Sequence, residues 1–337
     1  MKATIYDVAK AAGVSIATVS HVLNGKGKIS KDRRAEILRI MEDMNYKPSL
    51  IASALTGKRT YTLGLLVPDI SNPFFSEMAR AVEDEGQRLG YSVFICSTDN
   101  KDEKTARYAE LLEQKSVDGV IVGTGLSGLD ALKPLLSKGI PVAFIARDFP
   151  SETIPSVVID DYVGGAAAAE HLIGLGHRRL AVLAEQNTVV SSRERVRGFR
   201  ETAAAAGITL DEKHVLACEL RDGKRHASEL LAQSVDERPT GLFCCNDLLA
   251  IGALQAAREL KLRVPSDCSV VGFDDTILAS VTNPPLTTVA QPIEGMGQAV
   301  VRLLVRSKEH PDDHISRIVL PPRLTVRHST SPLTPFA

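Results

Sequence analysis

The sequence predicts an N-terminal all-α head with a helix-turn-helix, followed by an α/β body of two doubly wound parallel-sheet lobes. Three observations predict it. Apolar residues recur at three- and four-residue steps through residues 5–44, in segments with capping residues at their starts. From Thr62 onward, short β-branched runs alternate with helical stretches, as in parallel sheets covered on both faces. These runs are too many for one five- or six-stranded sheet, and 337 residues exceed what one core usually supports.

Hydrophobic residues make up 44% and charged residues 24%, enough to bury real cores, and with no Trp and 4% aromatics the packing is aliphatic. The net charge of −1 excludes a basic coat over the whole surface. It also hides an asymmetry: residues 1–60 hold eleven Lys+Arg and five Asp+Glu, a net of +6, leaving −7 for the remainder. A small basic head on an acidic body points to a polyanion-binding module. No apolar run approaches the ~18–20 residues that span a bilayer, so no membrane partner is expected. The first ten residues lack an apolar signal core, and the five cysteines are odd in number with no metal-ligand spacing. The expectation is a cytoplasmic protein with reduced, mostly buried thiols, no metal and no cofactor.

In the head, Thr4 caps a first helix whose apolar positions are Ile5, Val8, Ala9 and Ala12. Gly13 ends it in a tight turn. Ser15 caps a second helix, 16–24, which buries Val19, Val22 and Leu23 and exposes Ala17, Thr18, Ser20, His21 and Asn24. Two short helices around a Gly-containing turn make a helix-turn-helix. Ser30 caps a third helix to about Met44, with Ile37, Leu38 and Met41 facing inward. The second helix suits a major groove because its exposed side chains are small. Thr18, Ser20 and Asn24 can bond phosphates or bases, His21 can donate to guanine, and Ile16 and Ala17 can touch a thymine methyl. Residues 46–58 read either as a plain linker or as a two-turn helix that forms only when DNA and a second copy stabilise it. In the second case Leu55 is an apolar wedge for the minor groove.

The stretches Thr4-Ile5-Tyr6-Asp7-Val8-Ala9, Gly13-Val14-Ser15, Thr18-Val19-Ser20-His21-Val22-Leu23-Asn24 and Asn45-Tyr46-Lys47-Pro48 resemble the signature of the LacI/GalR (lactose-repressor) family of bacterial transcription regulators. The match runs without gaps through Leu55. The resemblance implies base-reading roles for Ile16, Ala17 and His21. It implies phosphate contacts for Tyr6, Ser15, Thr18, Ser20 and Asn24, and the wedge role for Leu55.

In the body, strands are expected at 63–67, 92–97, 119–122, 142–146, 157–159, 180–184, 242–245 and 269–273. Ligands of such sheets bind beyond the carboxyl ends of the strands, so two facing lobes enclose a cleft. The order of elements resembles the periplasmic sugar-binding fold attached to these regulators, in motifs such as Asn72-Pro73-Phe74-Phe75, Arg195-Val196-Arg197-Gly198-Phe199 and Val271-Gly272-Phe273-Asp274-Asp275. That fold crosses between lobes three times. The implied division is a head at 1–46, a hinge and linker at 47–61, and a body at 62–337. Within the body, lobe 1 takes about 62–160 and 290–318, and lobe 2 takes 161–289 and 319–330.

Several polar residues follow predicted strands. Arg147 and Arg195 can clamp hydroxyls or a carboxylate. Asn246 and Asp274 can bind adjacent sugar hydroxyls, and Gln291 lies at a lobe crossover. Phe74 and Phe75 either stack on a ring or serve the core. The matching family positions line the effector pocket, which implies a sugar, sugar acid or sugar phosphate. Ala146 stands where sugar-binding relatives commonly have an aspartate, which moves the expectation toward an acidic or phosphorylated sugar.

Two rival readings remain. Residues 123–128 fit G-x-G-x-x-G after a strand, and Asp148 lies twenty residues past Gly128, the spacing of an NAD-dependent enzyme. A sugar-binding protein without DNA function is the other. Ser191-Ser192 lack a His/Asp partnership, and His171 and His177 are read as packing or capping, so no catalysis is expected. The implied protein is a homodimeric, effector-controlled regulator, most simply a repressor, of a pseudo-palindromic duplex operator. Pro332 and Pro335 interrupt the tail and no leucine heptad follows, so no tetramerising coil is expected.

Overall fold

The structure, a computed structural model, describes residues 3–23, 29–46, 59–147, 154–186, 189–309 and 317–333. Asn24, Leu55 and Asp148 lie outside the described residues. The chain divides into two units, residues 1–60 and 61–337.

The first unit holds helices α1 (Ile5–Ala11), α2 (Ile16–Leu23) and α3 (Lys31–Asp43). Thr4 and Asp7 form a reciprocal capping box at the start of α1. Gly13, at φ 61°, turns the chain in a conformation that favours glycine. Ser15 Oγ accepts the Thr18 N–H at 3.1 Å and so caps α2. Val8, Ala9, Ala12, Val19, Val22, Ile37 and Met41 form the buried core. Two α3 arginines close the other helix ends. Arg33 Nη2 donates to Ala12 O at 2.9 Å, and Arg34 Nη2 donates to Val22 O at 3.2 Å. Cations at carbonyl termini offset the helix dipoles. Leu38, expected to face inward, is 46% exposed. The inner stripe runs through Ile37 and Met41, one helical turn apart, and Leu38 lies about 100° round from Ile37.

The second unit contains two six-stranded sheets. The first half supplies β1 (Thr62–Val67), α4 (Pro73–Arg88), β2 (Ser92–Ser97), α5 (Asp102–Gln114), β3 (Gly119–Val122), α6 (Lys133–Leu136), β4 (Val142–Ile145) and β5 (Ser156–Ile159). Then come α7 (Asp161–Gly174), β6 (Leu180–Glu185), α8 (Val190–Ala205), β7 (Val215–Cys218), α9 (Gly223–Leu231), β8 (Gly241–Cys244), α10 (Asp247–Glu259), β9 (Ser269–Asp274), α11 (Ile277–Val281) and β10 (Thr287–Ala290). The chain closes with α12 (Ile293–Glu309), β11 (Arg317–Leu320) and β12 (Arg323–Thr325). The strand orders are β11-β5-β4-β3-β1-β2 and β12-β10-β9-β8-β6-β7. Strands β1, β3, β4, β5, β8 and β9 are buried along their whole length, as expected where helices cover both faces.

Late in sequence, α12 returns to pack on α4 and on β3, β4 and β5. Glu85 of α4 fixes it, accepting from Arg302 Nε at 2.7 Å as well as from Arg88. The expected lobe division at 318/319 cuts through a strand that belongs whole to the first sheet. The crossing lies instead at Pro321-Pro322, which lack the N–H groups to continue a ladder. The second sheet is also not purely parallel, since β12 runs antiparallel to β10. Carboxyl ends of both sheets face the cleft, so a chain leaving one strand and directly entering the other sheet must run the opposite way.

Helices α7 and α8 touch backbone to backbone. A Cβ on Gly165 would overlap the Arg195 carbonyl, and one on Gly198 would overlap the Tyr162 carbonyl. This contact sets where α8 holds Arg195. Gly165→Ala should lower the melting temperature of the body, at about 2–4 °C for each kcal/mol of a ~1–3 kcal/mol overpacking cost. Gly174→Ala, at a position with open space around it, should leave it unchanged or raise it. Scanning fluorimetry on both variants checks the contrast.

Candidate functional site

Two surfaces carry the predicted residues. On the head, Tyr6 is 69% and Ile16 39% exposed, and Ser15, Ala17 and His21 are exposed beside them. Thr18 and Ser20, expected to be exposed, are half-buried. Thr18 lies within hydrogen-bonding distance of Ser15, Oγ to Oγ 2.9 Å, because both hydroxyls gather at the capped helix start. The first turn of α2 carries no acidic residue, so nothing on it repels a phosphate.

In the body, Phe74, Phe75, Arg147, Arg195, Asn246, Asp274 and Gln291 line one small cavity of about 40 Å³ between the sheets. It adjoins a chamber of about 660 Å³ through Ala146, Arg147, Ser191, Arg195 and Gln291, which line both. Most of these residues sit just past strand ends: Phe74 and Phe75 after β1, Arg147 after β4, Asn246 after β8, Asp274 at the end of β9 and Gln291 after β10.

Arg195 is the hub. Its side chain is 7% exposed. Nε donates to Asp161 Oδ1 at 2.7 Å, Nη1 donates to Cys245 O at 2.5 Å, and Asp274 lies 3.6 Å away. The guanidinium also stacks 3.7 Å from the Phe273 ring centroid. Burial alone would depress its pKa, but Asp161 and Asp274 outweigh that and raise it. Asp274, at φ 112°, accepts Gln291 Nε2 at 2.7 Å. Burial pushes its carboxyl well above the usual carboxylate range, against the pull of Arg195. Asp161, at 2.7 Å against 3.6 Å, is the closer and hydrogen-bonded of the two carboxylates on Arg195.

Other expected ligand groups are partly engaged. Asn246 Oδ1 caps α10 by accepting the Leu249 N–H at 2.8 Å, so its amide N–H groups are what face a ligand. Phe74 and Phe75 form an edge-to-face pair with centroids 5.1 Å apart inside the core, and they wall the cavity rather than lie open to it. Asn72, Asp161, Glu185 and Ser191 also line these spaces and escaped the sequence reading. Asp161 and Glu185 were discoverable by the same rule as the others, since one follows β5 and the other ends β6. Glu77 spans the cleft, accepting the Ile277 N–H at 2.8 Å.

The glycine-rich loop at 123–128 does not have the geometry of a dinucleotide site. The Gly125 N–H is taken by Asn100 Oδ1 at 2.8 Å, and the Ser127 N–H by Asp102 Oδ1 at 3.3 Å. The loop leads into a 3₁₀ turn, Asp130–Leu132, and the four-residue α6, too short to offer a helix dipole to a pyrophosphate. His171 and His177 hold the C-terminal segment, the former bonding Thr330 and the latter reaching Ser331 O. All five cysteines are free and buried. Among the described residues no helix is long and apolar enough to cross a membrane, and no metal-binding cluster forms.

A helix-turn-helix head joined to a two-lobed body with a polar cleft defines a ligand-responsive DNA-binding regulator. Residues 4–49 match the model for bacterial regulatory proteins of the lacI family, and residues 169–330 match a periplasmic binding protein-like domain. The chain is 46% identical over 338 residues to the HTH-type transcriptional regulator DegA of Bacillus subtilis (strain 168), covering 99% of both. Among solved structures, it is similar to the Lac repressor dimer bound to operator and the anti-inducer ONPF, with TM-score 0.85, 29% identity, and 98% of this chain and all of that chain covered. It is also similar to the transcriptional regulator CelR–cellobiose complex, with TM-score 0.73, 32% identity, and 97% and 99% covered. The chain belongs to the LacI family of bacterial regulatory proteins.

Arg195→Ala leaves Asp161 and Asp274 without their cation. It should destabilise the body by about 3–5 kcal/mol in urea unfolding, whereas a loss below ~1 kcal/mol would mean the pairs contribute little.

A second expectation concerns pH. Asp247, at the start of α10, accepts from the Thr276 N–H and hydroxyl and from the Thr288 hydroxyl. Burial pushes its carboxyl up to about 6, against those hydrogen bonds. A folded pKa above the unfolded value gives stability that is fully present below about pH 4 and is lost as pH rises through 6. Asp247→Asn removes that titration. The stability of wild type relative to the variant should therefore fall by on the order of 2–3 kcal/mol between about pH 4 and 6.5, and a constant difference would exclude it.

Proposed function

We propose that the chain is a cytoplasmic, homodimeric repressor that binds a pseudo-palindromic duplex operator and responds to a small polyhydroxylated effector held between its lobes. The observation that carries this reading is the exposed face of α2. Ile16, Ala17 and His21 are exposed side by side on a helix whose start is capped and free of acids. Short side chains let such a helix approach base edges closely, and His21 donates to guanine in the major groove. Tyr6, Ser15, Thr18 and Ser20 take the flanking phosphates. The relatives support the assignment, being named as transcriptional regulators, with operator or cellobiose bound in two of the structures. No enzymatic activity is part of this reading.

Dimerisation follows from the physics of one weak head. Two linked heads multiply affinity through effective concentration. Apolar surface for a second copy is at hand. Edge strand β2 exposes Phe94 (46%) and Ile95 (44%), and α11 exposes Ile277 (65%) and Val281 (70%). An effector that favours one lobe arrangement shifts the population of DNA-competent dimers, which needs a differential affinity of only a few kcal/mol.

The test is fluorescence anisotropy of the full-length protein on genomic fragments at low ionic strength, with sedimentation velocity on the same sample. Dimers and salt-dependent binding are expected. Failure to bind any fragment would sink the proposal. His21→Ala should weaken operator binding by ~1–3 kcal/mol while leaving binding to unrelated duplex nearly unchanged. An equal loss on both would reassign His21 to the phosphates.

A further inference from the structure

We infer that the effector is a sugar acid whose carboxylate seats on Arg147. The inference rests on the reading of the cleft as the effector site. Other cations around the cleft already have partners. Arg195 is held by Asp161 and Asp274. Arg197 is held by Glu194 at 2.6 Å and by Glu201 at 3.4 Å. Arg317, which lines the chamber, is also engaged.

Arg147 differs. Among the described residues no carboxylate lies within 4.0 Å of its guanidinium. One of its five N–H donors is occupied, by a long 3.3 Å bond from Nε to Gly123 O, and the Phe75 ring centroid stands 6.0 Å away. Burial presses its pKa down, and the attraction of the Glu185 and Asp161 carboxylates, neither of them in ion-pair contact, only partly offsets it. A guanidinium does not shed its proton at any ordinary pH. Its desolvation is therefore relieved by an anion brought from outside. The residue before it adds no acceptor, since Ala146 presents a methyl group from a left-handed backbone at φ 54°.

The form of the free cation selects the anion. A planar fork with four N–H groups that bond nothing among the described residues matches a carboxylate through two parallel hydrogen bonds. A phosphate dianion fits less well. Glu185 faces the same cavity from the second sheet, and Asp160 and Asp161 line the adjoining chamber, so a second negative charge would meet carboxylates with no second uncommitted cation among the described lining residues. A monoanion leaves these groups useful. Ser191 and Gln291 line both spaces with Arg147, so the hydroxyls of a ligand anchored there lie over them, with Glu185 as an acceptor.

The experiment is calorimetric titration of the full-length protein with D-glucuronate, D-galacturonate and D-gluconate, against D-glucose, D-galactose and D-glucose 6-phosphate. At least one acid should bind tenfold or more tightly than its neutral parent. Arg147→Gln should bring that ratio close to one, and Arg147→Lys, which keeps the charge without the fork, should retain part of it. A neutral sugar or the phosphate binding as tightly as the best acid overturns the proposal. So does a preference that survives Arg147→Gln, or the absence of binding by any acid. Operator binding is read separately on the same sample. Its loss strikes the regulator reading, whereas a response to neutral sugar strikes the acid alone.

Discussion

The buried charge of Arg195 is the constraint around which the cleft is organised. A guanidinium that deep is tolerated only if anions and carbonyls replace its water. Asp161 at the start of α7, the Cys245 carbonyl after β8 and Asp274 at the end of β9 supply them. Arg195 meets Asp161 because α8 lies directly on α7, and Cys245 and Asp274 come together at the ends of the paired strands β8 and β9. The helix contact exists because Gly165 and Gly198 have no side chains to hold the backbones apart. Packing thus precedes chemistry here: two small residues position one large charge, and the charge draws the strand ends together.

The same network lies at the joints between the lobes. Asp161 begins the helix that comes after the first crossing, and Gln291, bonded to Asp274, stands at the second. A ligand that exchanges hydrogen bonds with Arg195, Asp274 or Gln291 therefore acts on the residues that set lobe geometry. Glu77 bridges the lobes through a single hydrogen bond to Ile277, a contact worth about 1 kcal/mol. A joint held by so small a contact suits effector control, which requires alternatives close in energy.

The head was nearly legible without a structure because its signals are local. Thr4, Ser15 and Ser30 cap the helices they were expected to cap, since a hydroxyl needs only the next turn of backbone for that role. Leu38 was misread because a stripe of i, i+4 apolar residues admits a neighbour on either side, and only the facing helices choose. Strands β7 and β10 went unread for a different reason. Each has four residues; β7, Val215–Cys218, is an apolar run too short to tell from a turn of buried helix, and β10 opens on two threonines. The glycine-rich loop shows the converse. Its spacing met a familiar pattern, but Asn100 and Asp102, more than twenty positions earlier, take its N–H groups.

The chain's linear order determined the helical head, the alternation of strand and helix, and which polar residues follow strand ends, because capping, periodicity and strand termination act over a few neighbouring residues. Tertiary structure alone decided that Asp161 rather than Asp274 hydrogen-bonds Arg195, that Asn246 turns one end of its amide to a helix cap, and that Arg147 meets no carboxylate within 4.0 Å among the described residues. Pairing of buried charges depends on distances of a few ångströms between residues 34 and 79 positions apart, as Arg195 is from Asp161 and Asp274, and those distances exist only once the helices and sheets have packed.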